Sequence, residues 1–213
     1  MYCRDFMIDR KEVITVTEDY SLANTLKRMN LYGFRALPVS NYGRFVGVVD
    51  MFDIYQHVYV DRDVNLDKAL VSDVMHTDVA YVNGTDVIEV AAKLLTQQRV
   101  MFLPVLQDDT KDQFMGIIPV NRLMRIFMSS IGMDYKGNRI TVCLNNEKGE
   151  LSRLLRQLVR AGANIEGLMP IQMSELDGDN LQLRVIVKFD GDMDRVDLAC
   201  QDANIKILTR NAK

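Results

Sequence analysis

The chain has 213 residues, 48% of them hydrophobic, and a formal net charge of −3. That size holds one large or two small domains with real cores, and the apolar content argues against disorder. The weak charge gives no general pull toward nucleic acid or an anionic membrane, no stretch is apolar enough for a span, and three scattered thiols (Cys3, Cys143, Cys200) fit a reducing cytoplasm better than a disulfide framework.

Met1–Asp5 has no apolar core after its charges, so it does not read as a secretory signal. The β-branched run Val13-Ile14-Thr15-Val16 predicts a strand. Asp19 or Ser21 can cap the helix that follows, whose apolar positions Leu22, Leu26 and Met29 have helical spacing and which Gly33 ends. Ala36–Val39 predicts a second strand, Asn41–Arg44 a turn, Phe45–Val49 a third strand and residues 51–58 a short helix. Tyr59–Ser72 is charged and weakly periodic and reads as a linker. The pattern then returns. Val79–Val82 predicts a strand, Val87, Val90, Ala91, Leu94 and Leu95 line a helix, and strands Phe102–Leu106 and Phe114–Ile118 flank the acidic turn 108–112. A helix begins with Arg122–Phe127.

The two stretches are copies of one unit. Val16, Leu22 and Leu26 fall on Val82, Ile88 and Ala92, and Leu37-Pro38-Val39 falls on Leu103-Pro104-Val105. After a short insertion, Gly47-Val48-Val49 falls on Gly116-Ile117-Ile118. Each copy is too small to bury its own apolar face, so the copies pack as a pair, and the seam between them is a natural ligand site.

Beyond the boundary-like segment Met133–Asn138 the pattern changes. Ile140, Val142 and Leu144 alternate as in a half-buried strand, and Leu151, Leu154, Leu155 and Leu158 form a helical stripe closed by Gly162. Ile165, Gly167, Met169, Ile171 and Met173 alternate, Asp177–Asn180 predicts a hairpin turn, and Leu181, Leu183, Val185, Val187 and Phe189 alternate again. Asp192 or Asp194 caps a helix with Val196, Ala199, Cys200 and Ala203 inside, and Ile205–Leu208 closes the chain as a strand. The order βαββαβ predicts a ferredoxin-like sandwich.

The repeats resemble cystathionine-β-synthase-type (CBS) modules through Leu37-Pro38-Val39 with Gly47-Val48-Val49-Asp50-Met51-Phe52-Asp53, and through Leu103-Pro104-Val105 with Gly116-Ile117-Ile118. Asp5-Phe6-Met7 and Asp73-Val74-Met75 resemble the family's lead-ins. Gly149-Glu150-Leu151 and Gly162-Ala163-Asn164-Ile165 resemble an ACT domain, named for the regulatory domains of amino-acid enzymes. Length and order together are similar to bacterial acetoin-utilisation-type CBS–ACT regulatory proteins. The expected α/β (α+β) architecture is a CBS pair over 1–132 and an ACT domain over 139–213. Within the pair, module one spans about 1–60, a linker 61–72, and module two about 73–132.

The resemblance implies a non-catalytic cytoplasmic sensor, with AMP, ADP, ATP or S-adenosylmethionine as regulatory ligand and no required cofactor. It also implies a homodimer passing its signal to a partner protein. The expected nucleotide site comprises Ile14, Thr15, Phe34, Arg35, Ala36, Leu37, Gly47, Asp50 and Asp53. The family's motif runs Gly-x-x-(Thr/Ser)-x-x-Asp, its carboxylate accepting from ribose and its hydroxyl contacting phosphate. Here Gly47 and Asp53 keep that spacing and Asp50 replaces the hydroxyl. Pro119 and Arg122 replace the second module's hydroxyl and carboxylate; Arg122 has no acceptor but, with Arg125, could hold an anion. In the C-terminal part Asn146, Gly149 and Asn164 are candidates for an amino-acid effector, although Asn146 and Lys148 stand where the ACT family carries Asp and Pro, and both asparagines suit turns equally well.

Other readings stand beside these. Asp53 could simply cap a helix, Arg122 could pair with a surface carboxylate, and the pair as a whole could be a ligand-free dimerisation scaffold. His57 and His76 suit exposed or capping roles. Met124, Phe127, Met128 and Ile131 form a candidate dimer patch. No zinc spacing, nucleophile elbow or phosphate loop occurs in the sequence, and the Arg153, Arg156 and Arg160 stripe reads as a solvated helix face.

Overall fold

The computed structural model describes residues 1–60, 62–98, 100–107, 113–172 and 182–211. The acidic turn 108–112, the hairpin 177–180, Met173 and Leu181 lie outside the described residues. The chain divides into two compact units, Met1–Met124 and Arg125–Lys213.

The first unit begins with a one-turn helix α1 (Cys3–Phe6) and a two-residue strand β1 (Ile8–Asp9). The first repeat follows as α2 (Leu22–Tyr32), β2 (Ala36–Asn41), β3 (Arg44–Asp50) and α3 (Met51–Val60), the second as β4 (Val82–Asn83), α4 (Ile88–Gln98), β5 (Phe102–Leu106), β6 (Phe114–Pro119) and the start of α5 (Val120–Ser130), within which the first unit ends. Ser21, not Asp19, caps α2, its hydroxyl oxygen accepting from the Asn24 N–H, and Gly33 ends the helix at φ 70°. A glycine suits that left-handed residue because it has no Cβ to clash.

The strand expected over Val13–Val16 shrinks to one bridge. A 3₁₀ turn at Arg10–Glu12 consumes the approach, and only Val16 pairs, with Val39, its N–H donating to the Pro38 carbonyl. Its counterpart β4 is only two residues long, beside Val105 and Leu106. Strands β2 and β3 pair antiparallel, as do β5 and β6. One core holds Leu22, Met29, Leu37, Val39, Val49 and Ile54. Another cluster joins the repeats through Phe45, Leu106 and Phe114, with the two phenyl rings 5.6 Å apart.

The approach segments are exchanged. Residues before the second repeat pack on the first: Val71 is fully buried in its core, Ala69 accepts from the Leu22 N–H, and His76 exchanges two backbone hydrogen bonds with Val48 on β3. Residues at the chain start pack on the second: β1 lies against Gly116 and Ile117 on β6, and Ile88 donates to the Met1 carbonyl. Each exchange depends on a glycine. A Cβ at Gly47 would sit 2.3 Å from the His76 carbonyl oxygen, and one at Gly116 would sit 2.0 Å from that of Ile8.

The second unit is β7 (Asn138–Asn145), α6 (Glu150–Arg160), β8 (Asn164–Gln172), β9 (Gln182–Asp190), α7 (Met193–Asp202) and β10 (Lys206–Asn211), in sheet order β10-β7-β9-β8. This is the expected ferredoxin-like βαββαβ order. Ile140, Val142, Val185, Val187 and Phe189 alternate inward against Leu154, Leu158, Val196 and Cys200 of the helices. Asp192 caps α7 by accepting from the Asp194 and Arg195 N–H groups.

Candidate functional site

A cleft of about 410 Å³ lies within the first unit, where the end of β3 and the start of α3 meet the second repeat. That volume suits a nucleoside-sized ligand, since small-molecule pockets run from about 300 to 1,000 Å³. Asp50, Phe52 and Asp53 line one side. Val79, Ala80, Val100 and Phe102 supply apolar wall, and His76 and Asp78 the rim.

Local sequence explains how the carboxylates are set. Strand β3 ends at Asp50, and its Oδ1 accepts the Phe52 N–H at 2.7 Å. Asp50 therefore caps α3, satisfying one of the donors that a helix start leaves free. Asp53, which the sequence left open as a cap, stands instead in the first turn and lines the cleft. There its Oδ2 meets the His76 imidazole Nε2 at 2.9 Å. His76 is exposed as expected, but its ring is also the side-chain partner of Asp53. Its backbone is bonded twice to Val48 on β3, so the ring reaches Asp53 from a backbone held against that strand.

Of the residues expected at a nucleotide site, the cleft brings together Ala36, Asp50 and Asp53. The others are placed elsewhere. Ile14 and Leu37 pack in the first repeat's core. The Thr15 carbonyl accepts from Arg28, and the Arg35 carbonyl accepts from the Met51 N–H. The exposed Phe34 ring stacks on Tyr32, and Gly47 lies under the His76 carbonyl. Of the corresponding positions of the second repeat, Ala80 and Val100–Phe102 line the cleft instead, with Val79 beside them. His76, Asp78 and these second-repeat residues are the part the sequence reading missed. The signal available was that His76 directly follows the lead-in Asp73-Val74-Met75.

Arg122 sits at the position equivalent to Asp53. Its Nε donates to the Phe6 carbonyl oxygen at 2.6 Å, so its partner is a lead-in backbone and not the surface carboxylate the sequence suggested. Arg125 is exposed on the same helix. His57 is half-buried on α3.

In the second unit, Gly149 precedes α6 with φ 94° and lines a shallow groove with Leu151, Leu155, Arg156, Val159 and Arg160. Asn146 is exposed and does not line that groove. Asn164 donates to the Glu166 carboxylate. Glu150 pairs with Arg153 at 2.6 Å, and the hydrogen bond from the guanidinium holds its carboxyl below the usual value. Arg153 also donates to the Ala203 carbonyl, so it is not simply a solvated charge. Among the described residues no cluster of three or more His, Cys, Asp or Glu side chains could hold a metal, and no helix is long and apolar enough to cross a membrane.

The profile of the CBS domain family matches residues 3–64 and 71–129. No curated protein matches the chain. Among solved structures, CBSX2 in complex with AMP is 23% identical and has a TM-score of 0.51; the match covers 60% of this chain and 96% of that one. The same CBS-pair protein from Arabidopsis thaliana, in another structure, gives the same identity and score over 60% and 94%. CbpB in complex with c-di-AMP is 17% identical, with a TM-score of 0.54, over 61% of this chain and 85% of that one. These likenesses establish a shared fold.

Proposed function

The chain belongs to the CBS-domain family, and on that footing we propose that it is a regulatory sensor, not a catalyst, whose adenosyl ligand binds the cleft at Asp53. The observation that carries this reading is the cleft itself. It has an apolar wall suited to a base and, at its mouth, a carboxylate in the first turn of α3 that can accept from ribose hydroxyls. Binding of AMP by CBSX2 and of c-di-AMP by CbpB supports an adenosine-containing ligand. A ribose that takes both oxygens of Asp53 displaces His76, which meets its Oδ2. That would release a side chain whose backbone is bonded to Val48 on β3, which gives a bound and an unbound state of different structure.

The C-terminal unit is, in this proposal, an ACT domain, so that the chain is of the acetoin-utilisation CBS–ACT type. The sheet order β10-β7-β9-β8 and the left-handed Gly149 before α6 support this. An amino acid near Gly149 would be its effector. The protein works as a cytoplasmic homodimer acting on a partner protein. Exposed Phe52, Tyr55 and Tyr59 on α3, and Met124 and Met128 on α5, are apolar surface available for assembly.

A scaffold without ligand is the second reading. It is favoured by the cleft's self-satisfied polar groups, Asp50 on its own helix and Asp53 on His76. A thermal-shift screen with adenosine nucleotides, S-adenosylmethionine and amino acids separates the two. A sensor gains stability by RT ln(1 + [L]/Kd), which is about 2.7 kcal/mol at a hundredfold excess over Kd, and a scaffold gains none.

A further inference from the structure

The helix start that faces the cleft is already occupied by a negative charge. The first N–H groups of a helix, with its dipole, form a favourable anion site. In α3 that site is filled from within, because the Asp50 carboxylate accepts the Phe52 N–H at 2.7 Å. Asp53 and Asp78 line the same cleft, and the one imidazole on its rim is engaged with Asp53 at 2.9 Å. Among the described lining residues there is no Lys or Arg. An incoming phosphate would meet a carboxylate where it would otherwise meet free donors, and like charges at contact repel strongly in a partly dry cleft.

We infer that Asp50 is a specificity-determining residue that excludes phosphate, so that the cleft selects an adenosyl compound with a neutral or cationic 5′ group over a nucleoside phosphate. This rests on the cleft being the ligand site. Asp50 occupies the place of the anion, and the remaining features, an apolar wall and an acceptor at Asp53, fit a base and a ribose. A positively charged 5′ group is drawn toward the same carboxylates that repel phosphate.

The test is calorimetry on the full chain with adenosine, S-adenosylmethionine and AMP, for the natural protein and for Asp50→Ser and Asp50→Asn. Both variants keep a good helix cap and remove the charge, so their folding is preserved. The expected result is adenosine or S-adenosylmethionine binding at least tenfold tighter than AMP. In both variants AMP should tighten tenfold or more, while adenosine shifts less than threefold. AMP binding as tightly as adenosine in the natural protein overturns the inference, as does an AMP-to-adenosine ratio unchanged by either variant. If the natural protein binds none of the three, the sensor reading fails. Acquisition of AMP binding by the variants would then still support Asp50 as the excluding group, and variants that also bind nothing would overturn it.

Discussion

Replacing Gly47 with alanine should break the contact that ties the repeats together. The added Cβ would lie 2.3 Å from the His76 carbonyl oxygen, against an ordinary carbon–oxygen contact of about 3.3–3.6 Å. The carbonyl must retreat by about 1 Å, and it cannot do so alone, because His76 and Val48 share two hydrogen bonds of 2.8 and 2.9 Å. Losing both costs about 1–3 kcal/mol net, and residual crowding adds to that, so destabilisation of about 2–4 kcal/mol is expected. For a chain of this size it lowers the melting temperature by about 5–15 °C. The comparison is Gly33→Ala, where no atom lies within 4 Å of the new Cβ and only the left-handed φ of 70° is strained. Hydrogen exchange separates the two, since Gly47→Ala should deprotect the Val48 and His76 amides and Gly33→Ala should not. A Gly47→Ala protein that melts within a degree or two of the natural one, with both amides still protected, would refute the reasoning.

Asp53→Ala should weaken binding of an adenosyl ligand by about 1.5–3 kcal/mol, the scale of a hydrogen bond to a charged group, whereas His76→Ala should strengthen it by about 0.5–1.5 kcal/mol by freeing Asp53; calorimetry giving the opposite sign for His76→Ala would make His76 a ligand contact. Burial pushes the Cys3 and Cys200 thiols up to about 11. The folded chain holds these protons when the unfolded chain has lost them. Stability from this source is therefore intact below the ordinary thiol value of 9.0 and is lost as pH rises through about 11. Urea midpoints across that window should fall less steeply in Cys200→Ala. A thiol reagent at neutral pH should modify half-buried Cys143 before fully buried Cys3 and Cys200, and mass spectrometry showing the reverse order would contradict their burial. Light scattering at micromolar concentration should return a dimer, and Phe52→Asp with Tyr59→Asp should shift it toward monomer.

Local pattern made much of this fold legible. The alternation of Val185, Val187 and Phe189 marked β9, because period-two burial is written residue by residue, and the duplicated Leu-Pro-Val runs marked β2 and β5 as short apolar runs buried continuously through their middles. The lead-in exchange was not legible. Val71 and His76 follow the first repeat in sequence and look like connection, while their partners Tyr20 and Val48 lie far back in the chain, and no local periodicity encodes such a pairing. The candidate site was legible in the same measure. Spacing from Gly47 located Asp50 and Asp53 on the start of α3. It could not reveal that the rest of the wall comes from the other repeat, nor that a histidine in a turn would stand against Asp53.

The exchanged approaches also bear on how such a tandem can be divided. Cutting the gene after α3 would leave a first repeat without Val71 for its core or His76 along β3, and a second repeat without the Ile8 strand along β6. Each fragment would expose a bare strand edge at its glycine, a template for pairing with a stranger. With the arms crossed, neither repeat can be removed without stripping the other of its approach segment.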